Sequence, residues 1–157
     1  MDQPIPPVPE SHRFLLEQPL IAHVATVRVD GGAQSNPMWF SWDGQRIRLT
    51  HTNTRQKFRN LQAEPRVALS ITDPDESQRY LEVRGVVESV EADPGGRFYR
   101  QLRQRYGVDP DAPMPDADAR VVLAIRPVTM LARSPAGPDG PPAIERVTAD
   151  RRKVFRP

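Results

Sequence analysis

The residues best suited to chemistry lie between Arg46 and Arg66, where Arg46, Arg48, Arg55, Lys57, Arg59 and Arg66 meet one acid, Glu64; six minus one leaves a local charge of +5. Thr50, Thr52, Asn53 and Thr54 lead into a segment with helical spacing at the centre of this stretch. Hydroxyls, free backbone N–H groups and the positive end of a helix dipole then converge on one spot, which is the chemistry of a phosphate site. Spacing alone equally allows a capped surface helix with solvated cations. Only Lys57 and Lys153 are lysines among the 22 basic residues, so 20 are arginine. Codon usage accounts for most of that preference, and Lys57 stands out against it as a compact ammonium in a chain that defaults to guanidinium.

A second group, Gln34, Asn36, Pro37, Met38 and Trp39, sits in an extended segment between Asp30-Gly31-Gly32 and Asp43-Gly44. Pro37 cannot donate to a ladder, so the chain there is an edge or a bulge whose free backbone groups can meet a planar ligand. Trp39 either walls such a ligand or packs at an interface. Arg97, Arg100 and Arg103 recur every three residues and read as a solvated helix face. No aromatic platform accompanies them, so nucleic acid is not expected as a partner.

Other chemistries drop out. With no cysteine, disulfides, thiolate metal sites and cysteine nucleophiles are excluded. Dinucleotide, Walker, zinc-protease and nucleophile-elbow motifs are absent. His12, His23 and His51 fall on separate elements, which argues against a metal site; His12 reads as solvent-facing, the other two as strand packing. Glu82, Glu88 and Glu91 read as solvated positions on a sheet. The start MDQPIPPVPE lacks the basic and apolar parts of a signal peptide, and no apolar run could span a bilayer, so no membrane partner and a cytoplasmic location are expected.

The elements that must position these residues are mainly strands. Ser11 can cap a short helix that turns Phe14 and Leu15 inward. Strands are expected over 21–29, 33–43 and 45–52, the first three forming a meander, then a helix over 55–64 capped by Thr54. Further strands fall at 66–72 and 80–91, the latter interrupted by Gly85, a bulge signal. A helix over 93–106 follows, and then a strand over 121–125 whose length Pro127 limits. Residues 143–153 read as a short helix or a tail that orders only in a dimer. Six strands with short helices indicate an antiparallel barrel, since closure removes aggregation-prone edges. Twelve of the 18 prolines lie in three stretches, four within 1–10, three within 110–115 and five from 135 onward, giving a flexible arm over 1–10, a barrel domain over 11–133 and a linker with tail over 134–157. A core this small gains by burying a face against a second copy, so a homodimer is expected.

The run HVATVRVDGGAQSNPMWFSWDGQRIRLTHTNTRQKFRNLQAEPRVALSITDP, with RYLEVRGVVESV and RFYRQLRQRYG after it, resembles the pyridoxamine-phosphate-oxidase-like split β-barrel family. Within that family it is most similar to the deazaflavin-dependent reductases that use coenzyme F420. The similarity covers residues 21–133, and NPMWFSWDG, RQKFRNL and EPRVAL are specific as a set. The resemblance implies a mainly β fold, a six-stranded antiparallel split barrel (the FMN-binding split barrel), forming a homodimer with cofactor sites at the interface. It implies that Arg55 and Lys57 hold the cofactor phosphate and that Asn60 completes their motif. Residues Gln34 to Trp39 would lie beside the ring, Thr50 and Thr52 near the ribityl chain or phosphate, with Tyr80 and Arg133 as looser candidates that reach the site of the partner copy. The implied activity is hydride transfer from reduced F420 to a small electron-poor substrate of enone, quinone or tetrapyrrole type, with no catalytic residue evident. FMN is the alternative cofactor for the same residues. F420 carries an anionic polyglutamate tail, for which Arg46, Arg48, Arg59 and the Arg97–Arg103 face are the expected extra cations. A non-catalytic cofactor or tetrapyrrole carrier is the further alternative.

Overall fold

The computed structural model describes residues 3–138 and 140–149. Among these residues eight antiparallel strands form one sheet: β1 (Ala22–Val27), β2 (Ala33–Met38), β3 (Ser41–Trp42), β4 (Ile47–Thr52), β5 (Arg66–Thr72), β6 (Tyr80–Ala92), β7 (Arg120–Ser134) and β8 (Ala143–Thr148). Neighbours run β2-β1-β5-β6-β7-β4-β3, with β8 pairing β7 off this path. β2 and β3 therefore lie at opposite ends of the path, yet only Trp39 and Phe40 separate them in the chain. Three peptide steps reach at most about 11 Å, so the sheet must curl until its ends meet. No ladder joins β2 to β3, and the result is a barrel split along that seam.

Alternation builds the interior. Val67, Leu69 and Ile71 of β5, Leu81 and Val83 of β6, and Ile47 and Leu49 of β4 point inward at period two. Leu15 and Leu16 of helix α1 (Arg13–Glu17) join the same core and are fully buried. Helix α2 (Gln56–Ala63) lies against β1, and α3 (Arg97–Arg105) follows a 3-10 turn at Pro94–Gly96. Among the described residues no helix is long and apolar enough to cross a membrane.

Several expectations are corrected. Eight strands replace six because the 33–43 segment breaks at Trp39–Phe40 and because 143–148 is a strand rather than a helix or loose tail. At the break, the Phe40 N–H leaves the ladder and donates to the Tyr106 hydroxyl at 3.1 Å. The meander fails for the same reason: β4 pairs with β7, not with β2. Pro127 does not stop its strand. It lies opposite Gly85, where the β6–β7 register slips, so its missing N–H falls at a bulge. A Cβ on Gly85 would sit 2.5 Å from the Arg126 carbonyl oxygen, which explains the glycine.

Neither Ser11 nor Thr54 caps a helix; Arg55 occupies the N-cap of α2 without a side-chain bond. In the N-terminal arm, Pro6 and Pro9 are buried and Val8 packs on the core. His12 is buried, not solvent-facing, because its Nε2 bonds the Arg133 carbonyl oxygen at 2.7 Å, whereas His23 is exposed.

Candidate functional site

A cleft of about 900 Å³ opens beside the seam, between β2, β4, the start of α2, α3 and the start of β7. It gathers eight of the residues expected from sequence: Gln34, Asn36, Pro37, Met38 and Trp39 on one wall, and Thr50, Arg55 and Lys57 on the other. Three expected residues are not on its surface. Thr52 is buried beside it, its hydroxyl 3.5 Å from that of Thr54. Asn60 does not line the cleft. It is fully buried behind the cleft, donating to Gln34 and accepting from Gln56. Tyr80 pairs with Thr72 and Arg133 within the sheet, and neither it nor Arg133 lines the cleft.

Lys57 dominates the electrostatics. Its side chain is buried, Nζ lies 3.2 Å from Met38 Sδ, and among the described residues no carboxylate pairs with it. Loss of hydration pushes its pKa down to about 8. His51, on β4, responds to the same field. Burial first, then the charges of Lys57, Arg55 and Arg120, hold its pKa near 4, so the ring is neutral at pH 7, and its Nε2 has no hydrogen-bond partner among the described residues. No carboxyl group of the described residues lines the cleft, whose charged lining is Arg55, Lys57 and Arg120.

The basic cluster itself is dispersed. Arg46 pairs with Glu88 at 2.5 Å, Arg48 with Asp43 at 2.9 Å and Arg66 with Glu64 at 2.7 Å. Of the three-residue arginine face, Arg97 is exposed as expected, whereas Arg100 donates to the Pro110 carbonyl and Arg103, which is buried, to those of Ala112 and Pro113. Arg100 and Arg103 thereby strap the 109–116 loop to α3. The cations left at the cleft are Arg55 and Lys57, joined by Arg120.

Sequence reasoning missed Arg120, Tyr99 and Tyr106, which complete the aromatic wall. The Tyr106 ring stacks on Trp39 at 4.8 Å and 11°. Its hydroxyl donates to the Leu20 carbonyl at 2.6 Å, so Trp39 is backed by a bolted ring. Tyr99 lies 6.4 Å from Trp39, with the Arg120 guanidinium 3.9 Å over its centroid. Arg120 forks onto Asp116 at 3.2 and 2.9 Å and donates to Thr50 Oγ1 at 3.4 Å. Asp93 sets the pitch of α3 by accepting from the N–H groups of Phe98 and Tyr99. The seven-residue spacing of Tyr99 and Tyr106 was a readable signal for one helix face; the placement of Arg120 was not, since it depends on β7 pairing with β4.

The pyridoxamine 5'-phosphate oxidase family model matches residues 8–133. The chain belongs to that family. A solved structure described as an F420 reductase shares 51% identity with it over 78% of this chain and 98% of that one, with a TM-score of 0.76. Two more distant structures share the fold. One is a putative pyridoxamine 5'-phosphate oxidase from Listeria innocua (21% identity, 78% and 95% covered, TM-score 0.62). The other is HupZ from Group A Streptococcus (15% identity, 80% and 94% covered, TM-score 0.59). No curated protein sequence matches the chain. Membership agrees with the split barrel.

Proposed function

We propose that this protein is a deazaflavin-dependent oxidoreductase that passes a hydride from reduced coenzyme F420 to a small electron-poor substrate. The observation that carries the reading is Lys57, a buried ammonium without a carboxylate among the described residues, at the floor of a cleft with a flat aromatic wall. A desolvated cation of this kind is strongly unfavourable until an anion meets it. The 51% identity with a structure described as an F420 reductase supports deazaflavin over FMN. Of the expected polyglutamate-tail cations, Arg46, Arg48 and Arg103 are engaged elsewhere, and Arg59 and Arg97 are the exposed ones.

The residues present fit such a cofactor. Lys57, Arg55 and the first N–H groups of α2 hold the phosphate. Thr50 accepts from Arg120, which leaves its own hydrogen free to donate into the cleft. Trp39, backed by Tyr106, presents a flat surface to a ring lying along β2. When bound, the cofactor supplies the hydride. The protein orients ring and substrate. With no carboxyl group of the described residues on the cleft and His51 held neutral, the accompanying proton comes from solvent. Two copies acting as a homodimer complete the proposal.

Fluorescence-quenching titration with F420 and FMN tests the reading. Tighter F420 binding is expected, and equal or reversed affinities sink it. Reoxidation of reduced F420 by quinones, enones or biliverdin-like tetrapyrroles then separates an enzyme from a carrier.

A further inference from the structure

The buried ammonium of the cleft rests on a poor acceptor. Lys57 Nζ donates to Met38 Sδ at 3.2 Å, and a thioether sulfur accepts only weakly. Among the described residues no carboxylate supplements it. The sulfur is not sealed in the core either. Met38 is half-buried and lines the cleft, as Lys57 does. Of the other described methionines, Met130 is fully buried, and Met114 belongs to the 109–116 loop and does not line the cleft.

A thioether within reach of solvent is oxidised to the sulfoxide, a reversible change that turns an apolar side chain polar. Hydrogen peroxide is the oxidant considered. The sulfur has two lone pairs, so the bond from Lys57 leaves one for attack. That pair forms the S–O bond to one peroxide oxygen, the O–O bond breaks, and the departing hydroxide needs a proton. The ammonium 3.2 Å from the sulfur donates it and takes one back from the oxygen now on sulfur. Sulfur is oxidised by two electrons and the peroxide is reduced to water. Burial favours the step, because a desolvated ammonium is a stronger acid than an exposed one. The product exchanges a weak acceptor for a strong one. Methionine is flexible enough to turn the new oxygen onto Nζ.

We propose that Met38 is an oxidation site that controls the hold of the cleft on phosphate: its sulfoxide oxygen engages the Lys57 ammonium from within the protein, and phosphate-bearing ligands then bind more weakly. For the cofactor this rests on the preceding reading, in which Lys57 holds its phosphate. The oxidation and the capture of Lys57 stand without it.

The test treats the full chain with hydrogen peroxide and digests it with trypsin, which puts Met38, Met114 and Met130 on different peptides because arginines lie between them. The mass of one oxygen atom should appear on the Met38 peptide before the other two, and the reverse order overturns the proposal. The effect on Lys57 is read without any ligand. Lys57 and Lys153 are the only lysines, so 13C-lysine labelling gives two side-chain titrations, which Lys57→Arg assigns. The Lys57 midpoint, about 8 before treatment, should rise on oxidation as the sulfoxide favours the charged form, and methionine sulfoxide reductase should return it; a midpoint that stays or falls overturns the proposal. Inorganic phosphate should bind the oxidised protein roughly tenfold more weakly. Peroxide should leave Met38→Leu at its own untreated phosphate affinity, and an equal loss in that variant would place the effect at another residue and overturn the proposal. F420 should show the same loss in wild type. If untreated wild type does not bind F420, the deazaflavin reading falls, while the order of oxidation, the Lys57 midpoint and the phosphate affinity still judge Met38.

Discussion

A buried ammonium whose nearest polar neighbour is a thioether makes two measurable claims. Replacing Lys57 with alanine removes a charge-assisted contact of about 1.5–3 kcal/mol, so phosphate-bearing cofactor should bind roughly 10- to 150-fold more weakly; an unchanged dissociation constant would make α2 a mere surface helix. Affinity should also depend on pH. The anion selects the ammonium, whose pKa in the free protein lies near 8. Binding is therefore flat below pH 8 and weakens as pH rises above it, a slope that Lys57→Ala abolishes. His51 acts on stability instead. Its folded pKa is held near 4 against 6.5 unfolded, so between those values the unfolded chain binds the extra proton. The stability it contributes is complete above pH 6.5 and lost as pH falls toward 4. Urea midpoints at pH 7 and pH 5 should separate by less in His51→Asn than in wild type. Lys57 was legible because its type was rare and its position was a helix start. The neutrality of His51 was not, because its field comes from cations that the fold gathers from separate parts of the chain.

Among the elements, β6 and β7 depend on a single register slip. Gly85 and Pro127 face each other there, and any Cβ at position 85 would meet backbone, which cannot swing aside. Gly85→Ala should cost about 1–3 kcal/mol in urea unfolding; a neutral result would mean that the two strands separate freely at the bulge. The glycine was readable as a bulge from its isolation in an apolar strand. The proline misled, since its tolerance rests on a partner strand 42 positions away in the chain, a pairing that local pattern does not encode. Residues 100 and 103 misled similarly: with Arg97 their spacing gave one helix face correctly, and only the returning 109–116 loop turns these two from solvent to carbonyl oxygens while Arg97 stays exposed.

For the whole molecule, alternation and turn residues sufficed to indicate a mainly antiparallel barrel, and the motif set indicated its family. Which strands are neighbours was beyond them, because the β2–β3 break is set by a tyrosine 66 residues away in the chain. The proposed dimer belongs at this scale. Light scattering at micromolar concentration should give twice the 17.7 kDa chain mass, and a monomer mass would remove any cofactor site shared between subunits.

The seam gives the cleft a further property. The ladder stops at β2 on one side and at β3 on the other, so the strand carrying Asn36 is hydrogen-bonded to the sheet along one edge only. A ligand that touches both Asn36 on β2 and Thr50 on β4 bridges the two ends of the sheet and takes the place of the missing ladder. Occupancy then acts as a staple on the barrel, stabilising it by RT ln(1 + [L]/Kd) at the place where the fold itself supplies no bonds.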